Sequence, residues 1–142
     1  MSLNLNTQIG FVLALAFFSA CTKTETPPAE TPKTSIENLA GTTAKVWGIS
    51  ELYINDTLFP LDNVQLQYTK TYKKDNSFED SDGLKGTFTL SNDGKTLVET
   101  TTVGGAGVNT FTVNSLTASK LDVKLTSNGT NVLNNRFVFN AK

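Results

Sequence analysis

The chain has 142 residues, a formal net charge of −1 and a sequence pI of about 5.3. This length allows one domain, and the twelve Lys and Arg residues are scattered, which excludes the clustered basic surface that nucleic-acid binding needs. His is absent and Cys21 is the only Cys, so Ser-His-Asp and Cys-His catalysis, His-ligated metal sites and internal disulfides are excluded as well.

The first predicted element is the apolar run at residues 9–20, the longest in the chain. Twelve helical residues rise about 18 Å, which is too short for a hydrocarbon core of about 30 Å. The run therefore fits the apolar region of a signal peptide, which is removed from the mature protein. An ordinary secretory cleavage near Ala14-Leu15-Ala16 and an uncleaved anchor are the alternatives to the lipoprotein cleavage that the next residues indicate.

The apolar run ends in Phe18-Ser19-Ala20-Cys21, which resembles the lipobox of bacterial lipoproteins. Phe18 replaces the usual Leu, Val or Ile, and residues 1–10 contain no Lys or Arg. The resemblance implies a signal peptide over residues 1–20, cleavage before Cys21, and lipid attachment on the Cys21 sulfur and its new amine. Several acyl chains make membrane attachment durable where one chain is marginal. We expect an outer-membrane lipoprotein of the cell envelope, on either the periplasmic or the surface side.

Residues 21–40 are predicted to form a disordered tether. They combine Pro27-Pro28 and Pro32 with Thr, Glu and Lys, and they contain no large apolar residue before Ile36. Such a segment buries too little surface to order itself, and its prolines keep it semi-extended. The folded domain is therefore predicted to comprise residues 41–142.

From Thr43 onward the sequence alternates between strand and turn signals. Thr occurs 22 times in the chain and is β-branched, which suits pleated strands. Pairs such as Asn55-Asp56 and Asn128-Gly129 supply the backbone conformations of tight hairpins. Apolar residues recur at every second position between the turns, in the segments Val64–Tyr72, Leu84–Leu90 and Leu121–Leu125. One-sided strands of this kind form an antiparallel sheet with one face on a core.

The first strand changes face midway along its length. Trp47 and Ile49 have one parity, whereas Leu52 and Ile54 have the other. Side chains alternate with a period of two, so one inserted residue reverses the face that points to the core. We therefore predict a β-bulge or bend at Ser50-Glu51.

The order of motifs after residue 40 resembles that of the lipocalin-like lipoproteins of Gram-negative bacteria. The motifs are Trp47, Asp75-Asn-Ser-Phe78, Gly86-Thr-Phe88, Asp93-Gly-Lys-Thr-Leu97 and Leu116-Thr-Ala-Ser-Lys-Leu121. The resemblance covers roughly residues 40–141. It implies an all-β fold, a small antiparallel up-and-down barrel of about eight strands, with the early Trp packed across its closed end.

The interior of such a barrel is just wide enough for side chains or for one small ligand. The sequence leaves open whether the interior is filled or contains a cavity. The aromatic residues available to fill it are Trp47, Tyr68, Phe88, Phe111, Phe137 and Phe139.

Three groups of polar residues are candidates for other sites. Asp56-Thr57-Leu58 resembles the O-glycosylation acceptor of one Gram-negative phylum, with Thr57 as the acceptor, and the sequence leaves this modification open. Glu79–Gly83 resembles part of a calcium loop, but Phe78 and Thr89 stand where an EF-hand needs acidic ligands, so a solvated turn is favoured. Four further carboxylates are not placed in one cleft by anything in the sequence and are interpreted as surface charge, namely those of Glu51, Asp56, Asp62 and Glu99.

These features predict a non-enzymatic, lipid-anchored binding module without catalytic residues, metal or cofactor. Catalysis near pH 7 needs groups that exchange protons near neutrality, and the acids lie mostly in turns or, like Asp122, on the polar side of strands. The expected partners are the membrane and a small apolar ligand, and we expect a monomer. One alternative is a structural or adhesive β-domain with a filled core that binds protein or glycan through its loops. Another alternative is a small hydrolase inhibitor. The Gly104–Gly107 segment is a flexible loop at the rim that could contribute to binding in any of these three functions.

Overall fold

The structure is a computed structural model that describes residues 34–142 as one short helix and nine β-strands. The predicted signal peptide, the lipid site at Cys21 and the first part of the predicted tether lie outside the described residues. A single 3-10 turn, Gln65–Gln67, precedes the third strand. The other elements are α1 (Ser35–Ala40), β1 (Ala44–Ile54), β2 (Thr57–Phe59), β3 (Thr69–Lys73), β4 (Ser77–Asp80), β5 (Lys85–Leu90), β6 (Thr96–Val103), β7 (Gly107–Leu116), β8 (Lys120–Asn128) and β9 (Asn131–Ala141).

Eight of these strands close into an antiparallel barrel, and the remaining strand, β2, pairs only with the end of β1. From β3 to β9 each strand pairs with the next one in the chain. The first strand closes the barrel by pairing with β3 on one side and with β9 on the other. Closure removes the open edges that would otherwise pair with other chains. The predicted fold class, a small up-and-down barrel of about eight antiparallel strands, is confirmed.

The turn residues have the conformations that the sequence predicts. Asn55 and Asp56 join β1 to β2 with φ angles of 49° and 63°. Gly129 joins β8 to β9 with a φ of 60°. These left-handed conformations match the twist of the flanking strands, which is why Asn, Asp and Gly occur there.

The first strand changes face at Ser50, as predicted. Ile49 lies opposite Phe139 and Glu51 lies opposite Val138, so Ser50 is an extra residue in the ladder with β9. Its hydroxyl donates a hydrogen bond to the carbonyl oxygen of Val138 at 3.0 Å. Because the inserted residue reverses the alternation, apolar side chains face inward both before and after the bulge.

A packed core fills one end of the barrel. Trp47 and Phe88 are both buried there, as predicted, with 0% and 2% of their surface exposed. The rings of Tyr72 and Phe88 meet edge to face, with centroids 5.0 Å apart. Other buried apolar side chains at this end include those of Leu39, Leu97, Val113 and Leu121.

Helix α1 covers this closed end, which differs from the prediction of a tether that extends to residue 40. Thr34 and Glu37 form a capping box at the start of the helix, with hydrogen bonds of 3.3 and 2.9 Å. Leu39 and Ala40 are completely buried, and the Trp47 indole N–H donates to the carbonyl oxygen of Leu39 at 2.8 Å. A helix of six residues is too short to show a helical period in the sequence. Its stability comes from packing on the barrel.

The segment before β3 also differs from its prediction. Alternation predicted a strand from Val64 to Tyr72, but Gln65–Gln67 form the 3-10 turn and Val64 is 77% exposed. One carboxylate oxygen of Asp62 accepts hydrogen bonds from the backbone N–H groups of residues 64 and 65, at 2.9 and 2.8 Å. Such local bonding competes with strand pairing, which explains why the strand starts later. The inward position of Tyr72 is as predicted.

Asp122 lies on the outer face of β8, but it is buried rather than exposed to water as the sequence indicated. Arg136 on β9 donates two hydrogen bonds to its carboxylate, at 2.8 and 2.6 Å, and Asn114 on β7 donates a third at 3.0 Å. The Arg136 guanidinium also lies 4.8 Å from the centroid of the Tyr53 ring on β1. This network covers the carboxylate of Asp122 and links four neighbouring strands.

Candidate functional site

A cavity of about 750 Å³ occupies the half of the barrel opposite α1. Its mouth lies among the chain connections at that end, where Leu61 and Val64 precede β3 and Ser81–Leu84 join β4 to β5. Small-molecule sites usually have volumes of about 300–1,000 Å³. The barrel is therefore filled by side chains at its closed end and open at the other end.

The wall of the cavity is mostly apolar. Phe137 and Phe139 stack with their ring centroids 6.3 Å apart, and the Tyr68 ring lies 6.4 Å from that of Phe139. Four of the aromatic residues that the sequence identified as available to fill the interior, Tyr68, Phe111, Phe137 and Phe139, line this space instead. Aliphatic side chains complete the wall, among them Ile49, Leu52, Val123 and Leu125.

A buried ion pair lies at the inner end of the cavity. The Lys70 ammonium is 2.9 and 2.7 Å from the two carboxylate oxygens of Glu99, and the Tyr72 hydroxyl also donates to Glu99. In the strand ladder Lys70 lies opposite Trp47, and Glu99 lies opposite Phe88. Because Trp47 and Phe88 belong to the packed core, the ion pair lies where the core meets the cavity. Only partners of this kind make the burial of a charge tolerable.

The interpretation of Glu99 as surface charge is wrong, since only 1% of its surface is exposed. Its position on β6 has the same parity as the buried Leu97, and Lys70 on β3 has the same parity as the buried Tyr72. Each parity is a signal that a charged side chain points inward. Alternation alone does not show which residues from distant strands form a pair, so the site was missed.

Aromatic rings and a hydroxyl complete the surroundings of the ion pair. The Lys70 ammonium lies 5.2 Å from the centroid of the Phe78 ring and 5.8 Å from that of Phe111, distances typical of cation–π contacts. Burial and the negative charge of Glu99 raise the pKa of the Tyr72 hydroxyl well above its usual range. The hydroxyl therefore remains protonated and donates its hydrogen bond to Glu99 at neutral pH.

A second polar contact lies nearer the mouth. The Tyr68 hydroxyl donates to one carboxylate oxygen of Asp80 at 2.9 Å. The other oxygen accepts from the backbone N–H groups of Asp82 and Leu84, each at 3.0 Å. Burial, followed by the charge of Asp80, raises the pKa of the Tyr68 hydroxyl above its usual range. The Glu79–Gly83 segment thus ends β4 and forms the tight connection to β5.

The other residues that the sequence identified do not converge on one place. Thr57 is exposed at the start of β2, and the Gly104–Gly107 segment connects β6 to β7. Glu51 accepts a hydrogen bond from the Tyr53 hydroxyl at 2.7 Å, outside the cavity. Asp56 lies in the turn after β1, and Asp62 holds the 3-10 turn. None of these carboxylates lines the cavity with Glu99.

Within residues 34–142, no group of three or more His, Cys, Asp or Glu side chains is placed to hold a metal ion. The same part of the chain contains no helix of the length and apolar character that crossing a membrane requires. Comparison of the chain with family models, curated proteins and solved structures found no match. Function is therefore inferred from the chemistry of the cavity.

Proposed function

We propose that this chain is a non-enzymatic binding protein that takes a small, mainly apolar ligand into the open half of its barrel. The observation that carries the proposal is the cavity of about 750 Å³ with its wall of aromatic and aliphatic side chains. Binding an apolar ligand there removes apolar surface from water, which is favourable by about 25 cal/mol per Å². The resemblance to lipocalin-like lipoproteins supports the same proposal.

We also propose that lipid on Cys21 holds the domain at the outer membrane of the cell envelope. The support is the Phe18-Ser-Ala-Cys21 sequence at the end of the apolar run. The Thr- and Pro-rich sequence that follows suits a spacer between the lipid and α1. In this arrangement the lipid anchors the protein, while the barrel remains available for a ligand.

A second candidate function is recognition of a protein or glycan by the loops around the mouth. Large apolar side chains are exposed in these connections and in the strand ends beside them, and exposed apolar clusters often mark interaction sites. They belong to Leu58, Phe59, Val64, Leu66, Val103 and Val132. In that case the rim would bind the partner without any ligand entering the cavity.

A cavity-filling variant tests the first function. The purified full chain is titrated with N-phenyl-1-naphthylamine, an uncharged probe whose fluorescence rises in apolar surroundings. Leu125→Trp adds an indole to the wall of the cavity, whereas Thr89→Trp adds the same group at an exposed position on the outer face of β5, away from the mouth. Circular dichroism establishes that both variants are folded.

We expect saturable probe binding to the wild type and to Thr89→Trp, whereas Leu125→Trp should bind the probe at least roughly tenfold more weakly because the added ring occupies the site. Equal binding by the two variants would place the probe outside the cavity and favour the rim. Absence of saturable binding to the wild type would contradict the proposed function.

A further inference from the structure

The Lys70–Glu99 pair controls the charge at the inner end of the cavity. The ammonium donates to both oxygens of Glu99, at 2.9 and 2.7 Å, and Tyr72 donates to one of the same oxygens. The rings of Phe78 and Phe111 lie close to the same ammonium, at 5.2 and 5.8 Å. Lys70 therefore already has its counter-ion within the protein and does not need an anionic group from a ligand.

The remaining charges that line the cavity are negative. Asp80 and Asp82 lie near its mouth, so its charged residues are one Lys, two Asp and one Glu, with a net formal charge of −2 (one positive minus three negative). A ligand carboxylate would be repelled by this excess and would lose its hydration in apolar surroundings. A ligand ammonium at the inner end would lie beside the ammonium of Lys70. Both signs of ligand charge are thus disfavoured at that end.

A polar atom without a partner indicates what a ligand would supply. The side-chain oxygen of Asn109 is buried and has no hydrogen-bond partner among the described residues. Asn109 lines the cavity and lies opposite Glu99 on the neighbouring strand. A hydroxyl or an amide N–H can donate a hydrogen bond to this oxygen, whereas an ionised carboxylate has no proton to donate.

From these contacts we infer that the cavity selects apolar ligands whose polar group is an uncharged hydrogen-bond donor, such as long-chain alcohols or amides, over the corresponding fatty acids. The inference rests on the proposed function, since it requires that the cavity take a ligand. Glu99 is the residue that determines this specificity. Without its charge, the ammonium of Lys70 lacks a counter-ion and the inner end of the cavity attracts anions.

The test compares n-decanol with decanoate as competitors of N-phenyl-1-naphthylamine on the full chain near pH 8, where the acid is ionised. We expect the wild type to bind decanol roughly tenfold or more tightly than decanoate. Glu99→Gln keeps the size of the side chain but removes its charge, so decanoate affinity should rise roughly tenfold or more. Decanol affinity should change by less than about threefold.

Glu79→Gln is the matched control, because Glu79 lies on the outside of β4, paired with Lys73 and Lys85. It should retain the wild-type preference. The double variant Lys70→Met, Glu99→Gln removes both charges. It replaces Glu99→Gln in the test if the single variant does not fold. It should bind decanol and still reject decanoate, because no cation remains to attract the acid.

The possible results distinguish failure of this inference from failure of the proposed function. Equal binding of decanol and decanoate by the wild type would overturn the inference and leave a binding cavity. Tight decanoate binding by the double variant would contradict the role of Lys70. If the probe, decanol and decanoate all fail to bind the wild type, the proposed function fails and the inference fails with it.

Discussion

At the scale of single residues, Trp47 joins the barrel to helix α1. Its side chain is fully buried, and its indole N–H donates to the carbonyl oxygen of Leu39 at 2.8 Å. The ammonium of Lys45 lies 5.0 Å from the centroid of the Trp47 ring and donates to the carbonyl oxygens of Asn38 and Ala118. Trp47 therefore contributes both apolar burial and a buried hydrogen bond that another large side chain would not replace.

We expect Trp47→Ala and Phe88→Ala each to lower the free energy of unfolding by about 3–5 kcal/mol, because each leaves a cavity in a close-packed core. That is a large share of the usual total of about 5–15 kcal/mol. Chemical denaturation followed by circular dichroism measures the change. Phe59→Ala removes a ring that is 40% exposed on β2 and should stay within about 1 kcal/mol of the wild type. If Trp47→Ala and Phe88→Ala have the same free energy of unfolding as Phe59→Ala, these side chains do not support the core.

At the scale of the elements, β8 and β9 are joined on their outer face by Asp122 and Arg136. Two hydrogen bonds from the guanidinium hold the carboxylate, and Asn114 adds a third from β7. Bidentate pairs of this geometry are stronger than single hydrogen bonds between neutral groups. These bonds lower the pKa of the Asp122 carboxyl below its usual value, and the hydrogen bonds from Arg136 are the main cause.

This pKa shift predicts a pH dependence of stability. A carboxyl whose pKa is lower in the folded state stabilises the fold above its unfolded pKa of about 3.9. Its contribution disappears as the pH falls through the folded-state pKa. We expect Asp122→Asn to lower the free energy of unfolding at pH 7 by about 1–3 kcal/mol. The variant should also lose less stability than the wild type below about pH 4.

A series of denaturant titrations from neutral to acidic pH measures both effects. Asp82→Asn is the control, because Asp82 is an exposed acid in the connection between β4 and β5. It should follow the wild-type curve closely. If Asp122→Asn and the wild type lose stability in parallel below about pH 4, the Asp122 carboxyl does not contribute in the way the structure indicates.

At the scale of the whole molecule, the two ends of the barrel differ in structure. Helix α1 and the packed core close one end, and the cavity opens at the other, where exposed apolar side chains surround the mouth. Helix α1, the first element of the described residues, lies at the closed end.

The proposed lipid attachment at Cys21 gives a prediction for the full chain in its host cell. We expect mass spectrometry of the mature N-terminus to show an acylated Cys21, and the protein to fractionate with membranes. Cys21→Ala should release or mislocalise it, because each buried CH₂ of an acyl chain contributes about 0.8 kcal/mol to membrane binding. Thr22→Ala, one residue further on, should remain with the membranes. A soluble wild-type protein, or an unmodified N-terminus at Phe17, would contradict lipid attachment.

The sequence predicted the antiparallel strands and their turns because the signals for these are local, whereas the closed barrel of about eight strands was implied by the resemblance to lipocalin-like lipoproteins. Alternating side chains along the strands select the inward face, Asn and Gly mark the tight turns, and the change of parity at Ser50 predicts the bulge. Trp47 and Phe88 could be assigned to the core for the same reason. These patterns depend on neighbours within a few residues along the chain, although at Gln65–Gln67 local hydrogen bonding replaced the strand that alternation predicted.

What lies inside the barrel follows from contacts between residues that are distant in the sequence. Lys70 and Glu99 are 29 residues apart, and closure of the barrel brings their side chains together across its interior. The cavity depends on how side chains from seven of the eight barrel strands share one volume, and α1 is stable because it packs on strands that follow it in the chain. Burial of Asp122 likewise needs Arg136 from the next strand. Such features follow from packing between distant residues, for which a local pattern in the sequence has no signal.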